Sequence, residues 1–388
     1  MEKFDWHQKL KPLLFLFKIV GLWPKEQEVY SFNFYTLYTV LSFILFDLCH
    51  NFFQIVQLFL IPMDLEALAG TLFISVQVVA VVKVFAFITR MKMIKELMRK
   101  LNDDIFQPRT YEQRGRATAA LQFWWRIYVG YQISLACTVV LWSSFPLLDK
   151  SYKESRLPLP AWYPYDYTRS PFYEITYFYQ SFSLAFLNVC NSNLDMFAVC
   201  LMIYIGAQCD ILCDNLKLLR GSDSKGRYHH FNEELIKIIK EHKEILIFVT
   251  KFNIFVDKIL LTQFVTTATS LSLCLFQLTL IPPLTSEFFS MISAVMSATF
   301  QIFLYCWYGN EIGAKSSKIT YSAFESDWIG ASSEAQRTLL IFVLRTHRQI
   351  TIKTFNLFPL SLGTFMTIMR TAWSYFAVLR QVNILEQN

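Results

Sequence analysis

The sequence predicts an all-α membrane protein with seven transmembrane helices, a cytoplasmic N-terminus and an extracellular C-terminus. Apolar side chains make up 54% of the 388 residues, and charged side chains only 17%, against roughly 25% in ordinary globular proteins. The apolar residues also fall into long runs, as a bilayer core about 30 Å thick requires of each spanning helix. The third observation is an uneven distribution of Lys and Arg, which sets the orientation.

Seven runs are apolar and long enough to cross a bilayer. These predicted spans are Tyr35–Ile61, Glu66–Ile88, Arg126–Leu148, Tyr173–Ile205, Ile259–Ile281, Phe288–Tyr308 and Leu360–Val382. The fourth run is longer than a bilayer needs, so it is expected to project beyond the membrane. The earlier run Leu13–Trp23 is too short to cross, and we expect an interfacial helix with Trp6 and Trp23 at headgroup level.

Lys and Arg concentrate on one side of these spans. Of the 36 basic residues, 28 lie in the N-terminal segment and in loops 2–3, 4–5 and 6–7, and four lie in the loops of the opposite side. Because basic loops stay in the cytoplasm, the N-terminus is predicted inside, the reverse of a G-protein-coupled receptor. The net charge of +6 then faces anionic lipid, and no nucleic-acid partner is needed to explain it.

The spans divide the chain into six regions. They are a cytoplasmic N-terminal segment at 1–34, spans one to four at 35–205, a cytoplasmic helical loop at 206–258, spans five and six at 259–308, cytoplasmic anchor helices at 309–359, and the seventh helix at 360–388. Residues 231–252 and 332–350 have amphipathic helical spacing, and the second begins with a Ser start signal. We expect a helical cytoplasmic extension built from the ends of several spans, packed against other subunits or within one chain.

One exterior loop, Leu157–Glu174, is rich in proline and aromatic residues. Four prolines restrict its backbone, so a stiff, self-packed cap is expected. The loop either covers a cavity between the spans or contributes an interfacial aromatic belt.

The seventh span carries a polar stripe along one helical face. Its members follow at steps of three, four, three, four and three residues: Thr364, Thr367, Thr371, Ser374, Val378 and Gln381. Such a face either hydrogen-bonds across a helix contact or lines a water-filled pore, with Val378 as an apolar constriction. A pore wall of this kind needs several copies around a symmetry axis. Arg370 lies in the middle of the same span, which indicates a wet or protein-lined surrounding.

Other polar residues in the spans predict interior pairs rather than a catalytic, ion or metal site. They are Asp47, Lys83, Asn188, Asn191, Asn193 and Asp195, and a pair between Asp47 and Lys83 is one expectation. The six His residues show no metal-binding spacing, and the segment 221–227 lacks the Lys-Ser/Thr of a phosphate-binding loop. We therefore expect no enzyme activity, no cofactor and no metal.

Four stretches carry a resemblance to a known family. They are PAWYPYDYTRSPFYEITYFYQ at 160–180, YCWYGNEI at 305–312, SKITYSAFESDWIGASSEAQRTLLIFVLRTHRQITI at 317–352, and FPLSLGTFMTIMRTAWSYFAVLRQ at 358–381. With the span layout, they make the chain resemble the insect odorant receptors over essentially its whole length. Two departures stand out, since the family usually has Pro where Gln349 stands and Ala-Gly where Thr354 and Phe355 stand.

The resemblance implies an odorant-gated, non-selective cation channel, a tetramer around the seventh helices in which odorant-binding subunits assemble with a shared co-receptor. The co-receptor's long insertion in loop 4–5 is missing here, so the chain looks like an odorant-binding subunit in the plasma membrane of a sensory neuron dendrite. In the family's closing motif the Val forms the gate and the Gln lines the mouth, which here implies Val378 and Gln381. The four hydroxyl-bearing residues of the stripe would then line the pore.

The resemblance also implies an odorant pocket in the outer half of spans two, three, four and six. No tight motif fixes its residues, so we choose by face and chemistry. The candidates are Phe73, Val76, Thr138, Trp142, Tyr179, Phe182, Phe186, Met291 and Val295. An apolar, aromatic-walled cavity of this kind suits a small volatile molecule.

Two rival interpretations share the seven spans. A G-protein-coupled receptor would carry Asp-Arg-Tyr after span three and Asn-Pro-x-x-Tyr in span seven, and the sequence has neither. A gustatory receptor of the same superfamily has a similar topology and ending, but the signature at 317–352 favours the odorant receptors.

Overall fold

The computed structural model describes residues 3–25, 30, 33–60, 72–148, 150–219, 229–355 and 358–387, with side chains described at all of these except 72–76, 145, 229–230, 286 and 384–387. Its α-helices are α1 Lys11–Ile19, α2 Phe34–Phe43, α3 Cys49–Leu60, α4 Leu72–Thr89, α5 Met91–Leu101, α6 Tyr111–Leu148, α7 Phe172–Lys217, α8 His229–Leu280, α9 Ser286–Phe324, α10 Ser333–Thr346 and α11 Leu362–Gln387. A π-helical turn, Ile44–Leu48, joins α2 to α3, and short 3-10 turns occupy Gln8–Leu10, Asp104–Phe106 and Ser151–Glu154. Strands β1 Lys353–Thr354 and β2 Phe358–Pro359 pair antiparallel before α11.

Four helices are much longer than a membrane is thick. α6, α7, α8 and α9 contain 38, 46, 52 and 39 residues. At 1.5 Å per residue, α7 is about 69 Å long, more than twice the hydrocarbon thickness. The helical extension built from the ends of spans is therefore confirmed. Residues 231–252 belong to the same continuous helix as span five.

The predicted spans coincide with helices wherever the chain is described, except at Ile281, Leu360 and Ser361. Span one is the combined run α2–α3. Residues 66–71 of the second span lie outside the described residues. Four described segments are long and apolar enough to cross a membrane by themselves: Phe34–Leu60, Tyr111–Ser144, Phe172–Lys217 and Glu287–Phe324. The described part of α4 contributes the shorter apolar helix Gln77–Thr89. The spanning parts of α8 and α11 carry runs of Thr and Ser, which lower their hydropathy.

α7 occupies the centre of the molecule. Every residue from Ser192 to Cys209 is buried, and α4, α6, α8 and α9 all pack against this helix. Most of the buried side chains are apolar on every face of the helix, and the few buried polar ones, such as Asn193 and Asp195, pair with neighbouring helices.

The N-terminal segment is packed into the cytoplasmic core. Trp6 is fully buried, and its Nε1 donates a hydrogen bond to the carbonyl of Phe106 at 3.2 Å. Trp23 is 7% exposed and its ring stacks on that of Phe17. Both rings are therefore covered by protein instead of lipid, since the protein provides an apolar site and, for Trp6, a carbonyl acceptor for the indole N–H. Their position at headgroup level stays a prediction.

The exterior loop packs on itself and on two helices, as predicted. Leu157, Ala161 and Tyr163 form a small buried cluster. The side chain of Gln180 on α7 holds the loop in place through two hydrogen bonds to the backbone of Leu159. Its Oε1 accepts from the N–H of Leu159 and its Nε2 donates to the carbonyl of Leu159, both at 3.1 Å.

A charged pair lies buried where α4, α7 and α9 meet. The Nζ of Lys83 is 2.6 Å from Oδ1 of Asp195, and both side chains are almost completely buried. Gln301 and Tyr305 of α9 also donate hydrogen bonds to this carboxylate. The expected pair between Lys83 and Asp47 is wrong.

Asp47 instead finds its partner within its own span. Its Oδ1 accepts from Nδ2 of Asn51 at 2.7 Å, one turn further along the helix.

The backbone before α11 is strained at one residue. Phe355, in the turn between β1 and β2, has φ of +49°, a left-handed conformation that costs an L-residue other than glycine roughly 1–2 kcal/mol. This is the position where odorant receptors usually have Gly, so the departure noted in the sequence falls on a position that favours glycine.

Removing either partner of the buried pair should destabilise the protein strongly. Asp195→Asn and Lys83→Met each leave one buried charge without its counter-ion, which typically costs about 3–5 kcal/mol. The double variant removes both charges and should lose less stability than either single variant. Thermal unfolding of the purified protein in detergent measures all three.

The matched control is Lys3→Met, which breaks the exposed pair between Lys3 and Asp104 and should shift unfolding by no more than about 1 kcal/mol. Additive losses in the double variant would contradict the buried pair.

Phe355→Gly should stabilise the hairpin that precedes α11. Glycine adopts a positive φ without a steric penalty, although it adds conformational entropy to the unfolded chain, so the net gain is about 1 kcal/mol. The same thermal assay should show a higher melting temperature for this variant. Thr354→Gly, at the buried neighbouring position, should lower it; a lower value for both would argue against backbone strain.

Candidate functional site

A cavity of about 190 Å³ lies among α4, α6, α7, α8 and α9. Its lining residues are Gln77, Val79 and Ala80 of α4; Tyr131, Leu135, Thr138, Val139 and Trp142 of α6; Leu184, Leu187, Asn188 and Asn191 of α7; Gln263, Thr266, Thr267, Ser270, Leu271 and Cys274 of α8; and Ala294, Ser297, Ala298 and Gln301 of α9. All five helices contribute parts predicted to lie within the membrane.

The described wall is neutral and contains only two aromatic rings, those of Tyr131 and Trp142. Aliphatic, hydroxyl and amide side chains make up most of the rest. The wall is thus less aromatic than expected, but it keeps the mixture of apolar surface and a few polar groups that holds small neutral molecules.

Two of the sequence-predicted residues, Thr138 and Trp142, line the cavity. The hydroxyl of Thr138 lies 2.5 Å from the Oγ of Ser293, which links α6 to α9 at this level.

Three predicted residues of α7 face another helix. The ring of Phe182 lies 4.6 Å from that of Phe46, and the ring of Phe186 lies 5.3 Å from that of Phe43. Tyr179 donates its hydroxyl proton to the carbonyl of residue 45 at 2.6 Å. These side chains form a contact between α7 and the first span, and the neighbouring face of α7 lines the cavity.

Of the four remaining predicted residues, two lie behind the wall, and the side chains of the other two are outside the described residues. Met291 and Val295 of α9 belong to an apolar cluster that also contains Trp142. The side chains of Phe73 and Val76 lie outside the described residues.

The contribution of α8 to the wall was not predicted from the sequence. Four of its lining residues, Gln263, Thr267, Ser270 and Cys274, follow at steps of four, three and four, which places them on one face of a helix. A polar face on a membrane helix gains nothing from contact with lipid. The same spacing rule that marks the stripe of span seven therefore also marks this face of span five.

Hydrogen bonds connect the inner end of the cavity to the buried pair. Nε2 of Gln263 donates to Oε1 of Gln301 at 3.2 Å and to Oγ1 of Thr267 at 2.8 Å. Gln301 in turn donates to the carboxylate of Asp195. The orientation of two lining amides is therefore set by a fixed charge.

The outer end of the cavity meets the exterior loop. Leu159 of that loop is buried in the same apolar cluster as Trp142 and Met291. The two hydrogen bonds from Gln180 hold Leu159 in this position. The loop therefore covers the wall of the cavity on its outer side.

α11 turns its polar stripe away from its own subunit. Thr367, Ser374, Val378 and Gln381 are exposed, with 59% of Val378 accessible, while Thr364 and Thr371 are half-buried. Other faces of α11 hold the packing: Ile368 and Ala372 are 8% and 1% exposed.

The hydroxyl groups of the stripe all donate their protons to the backbone of α11 or the residues just before it. Thr367 donates to the carbonyl of residue 363 at 3.0 Å, Thr371 to that of Thr367 at 2.9 Å, and Ser374 to that of Arg370 at 3.0 Å. Thr364 donates to the carbonyl of residue 359 at 2.6 Å. With the protons used in this way, each hydroxyl can offer only its oxygen to whatever lies outside.

α11 also contacts residues that surround the cavity. Leu379, the residue after Val378, packs against the apolar cluster that contains Trp142, Met291 and Leu159. Nearer the start of α11, the ring of Phe365 lies 5.7 Å from that of Phe303 on α9. One cluster thus joins a lining residue of the cavity to the neighbour of Val378.

Comparisons with known proteins agree with this architecture. The chain is similar to Odorant receptor Or1 of Anopheles gambiae, with 24% identity over 398 residues covering 95% of this chain and 94% of that protein. It is also similar to Odorant receptor 46a, isoform A, of Drosophila melanogaster, with 25% identity over 295 residues covering 75% of this chain and 76% of that protein.

Solved structures share the fold. The insect olfactory receptor OR5 from Machilis hrabei, determined in complex with eugenol, superposes with a TM-score of 0.87 at 19% identity, covering 98% of this chain and 100% of that chain. The family model described as 7tm Odorant receptor matches residues 64–373, most of the chain. This multi-pass membrane protein therefore belongs to the insect odorant receptor family.

Proposed function

We propose that the chain is the odorant-binding subunit of a ligand-gated, non-selective cation channel in the plasma membrane of an olfactory neuron. The observation that carries the proposal is the polar stripe of α11, which faces away from its own subunit. One such helix cannot enclose a conduit, whereas four related by symmetry can. In this arrangement the stripe lines the pore.

The chemistry of the stripe favours cations. The hydroxyl oxygens of Thr364, Thr367, Thr371 and Ser374 keep free lone pairs while their protons are held by the backbone. Oxygen atoms presented in this way replace part of the hydration of a cation. Val378 forms the apolar gate of the proposed pore, and Gln381 lies at its mouth.

The proposed assembly is a heterotetramer with an odorant co-receptor. An exposed apolar surface of the predicted cytoplasmic region supports assembly, since Leu340, Ile341 and Leu344 of α10 are 53%, 69% and 77% exposed. Apolar patches of this kind on a water-facing region mark contacts with a partner. The resemblance to odorant receptors is the reason for proposing the shared co-receptor as this partner.

The proposed ligand is a small volatile molecule in the cavity. The structurally similar OR5 is solved with eugenol, so this fold accommodates a molecule of that size. A ligand that displaces Trp142 changes the cluster against which Leu379 packs, and Leu379 is adjacent to the gate. Binding therefore favours whichever state of α11 fits the displaced cluster, and the closed–open equilibrium shifts.

Patch recording from cells that express the chain with a co-receptor tests this function. Odorants should evoke cation currents that persist when GDP-β-S in the pipette blocks G proteins. Responses that vanish under this block would identify a G-protein-coupled receptor instead.

Val378→Ala should increase the current in the absence of odorant. Removing two carbon groups at about 0.8 kcal/mol each makes the constriction easier to wet, which corresponds to a closed–open ratio lower by up to about tenfold. Val140→Ala on α6 is the matched control, because Val140 is similarly exposed at 63% but lies outside the stripe. Unchanged basal and evoked currents in the Val378 variant would contradict this gate.

Leu379→Ala should weaken the link between the cavity and the gate. The shorter side chain leaves the cluster with Trp142 and Met291, so odorant should evoke a smaller fraction of the maximal open probability. Single-channel conductance should stay unchanged, because Leu379 lies outside the stripe. A changed conductance with a normal open probability would place Leu379 in the pore wall.

A further inference from the structure

Four polar atoms in the wall of the cavity have no hydrogen-bonding partner within the described chain. They are Nε2 and Oε1 of Gln77 on α4, Oε1 of Gln263 on α8 and Oγ of Ser297 on α9. These three side chains are only 5%, 5% and 9% exposed. Buried polar atoms are nearly always satisfied in native proteins, so such a group in a cavity wall marks a place where a ligand, or a water that a ligand displaces, completes the hydrogen bonding.

Gln77 is the residue best suited to select a ligand. Both of its amide atoms are unpartnered, whereas Nε2 of Gln263 is already engaged by Gln301 and Thr267. Among the buried amides of the described wall, that of Gln77 is therefore the one that offers both a donor and an acceptor to an incoming molecule.

The unpartnered atoms favour a ligand that can donate a proton. Two of the four are amide oxygens, which only accept hydrogen bonds. A ketone, ester or ether can satisfy the N–H group of Gln77 but neither oxygen, whereas a hydroxyl group can donate to an amide oxygen. An ammonium group is disfavoured, because the described lining contains no carboxylate to pair with a buried charge.

The size of the cavity limits the rest of the molecule. A cavity of about 150 Å³ in another protein holds one benzene ring, and this cavity measures about 190 Å³. The space therefore fits one six-membered ring with one or two substituent atoms, or an open chain of similar volume. The apolar part of such a molecule would contact Leu135, Val139 and Leu184.

We propose that the cavity is selective for small neutral alcohols and phenols of about six to seven carbon atoms, with the ligand hydroxyl bound to the amide of Gln77. This selectivity deepens the proposed function and rests on it for the electrical readout. It assigns Gln77 as a specificity-determining residue.

The experiment uses ligands matched in size. Cells expressing the full chain with a co-receptor receive benzyl alcohol, benzaldehyde and ethylbenzene, and in a second series 1-hexanol, hexanal and heptane. In the wild type the alcohol of each series should be the most potent, with a half-maximal concentration about tenfold below that of the hydrocarbon, as one well-formed hydrogen bond allows.

Gln77→Leu should reduce this difference to about twofold or less by weakening the alcohols alone. Gln57→Leu is the matched control, because it makes the same change on α3 at a half-buried position away from the lining, and it should keep the wild-type order. Gln77→Met, an unbranched substitute of similar length, serves if the leucine variant does not reach the cell surface.

A second measurement separates the ligand class from gating. Benzyl alcohol should raise the melting temperature of the purified wild-type receptor more than ethylbenzene does at equal concentration. Equal potency of alcohol and hydrocarbon, a preference for the aldehyde, or an unchanged preference in both Gln77 variants would overturn the selectivity while ligand gating stands. Preferential stabilisation by the alcohol without any evoked current would support the selectivity and overturn the channel.

Discussion

The packing of the membrane-embedded helices depends on the ion pair and hydrogen bonds of the Asp195 carboxylate. This carboxylate receives the ammonium group of Lys83 from α4 and two hydrogen bonds from Gln301 and Tyr305 of α9. A buried carboxylate is tolerated only when both of its oxygens accept hydrogen bonds. The donors lie on α4 and α9, so the carboxylate on α7 fixes how these three helices meet. Gln301 extends the constraint to Gln263 on α8.

This constraint divides the cavity into two halves of different character. Its inner end is held by directional hydrogen bonds, which permit one arrangement of the amides. Its outer end is held by apolar contacts among Trp142, Met291 and Leu159, which have no preferred direction. A ligand can therefore rearrange the outer half at small cost, and Leu379 of α11 packs against this half.

Much of the fold follows from local patterns in the sequence. Hydropathy located the spans, and the Ser start signal at Ser332 is a true N-cap whose hydroxyl accepts from the N–H of Ala335. The length of the fourth run predicted that α7 projects beyond the membrane. Hydropathy does not show that α8 runs without a break from residue 229 through span five, because a helix can become polar without ending. The pairing of charges could not be predicted from the sequence either. Lys83 and Asp195 are separated by 112 positions, and only the packing of whole helices decides between Asp195 and Asp47 as the partner.

Two helices of the cavity wall, α7 and α8, differ in how much their sequences reveal about the face that lines it. The cavity face of α7 carries Asn188 and Asn191, which the sequence marks as interior polar residues. Asn193 and Asp195 on the same helix carry the same signal, so the sequence does not single out the face that lines the cavity. The polar face of α8 could have been identified, because polar residues at helical spacing in a membrane helix face either another helix or a cavity.

The hydrogen bonds within the stripe of α11 have an energetic consequence for the proposed channel. Because the helix backbone already accepts each hydroxyl proton, no donor is stranded when water leaves the conduit. Drying the proposed conduit therefore costs the stripe only the hydration of its hydroxyl oxygens, whose protons stay paired. In the proposed channel, the apolar ring of Val378 then supplies most of the barrier to wetting, and a ligand acts by shifting the equilibrium at that ring.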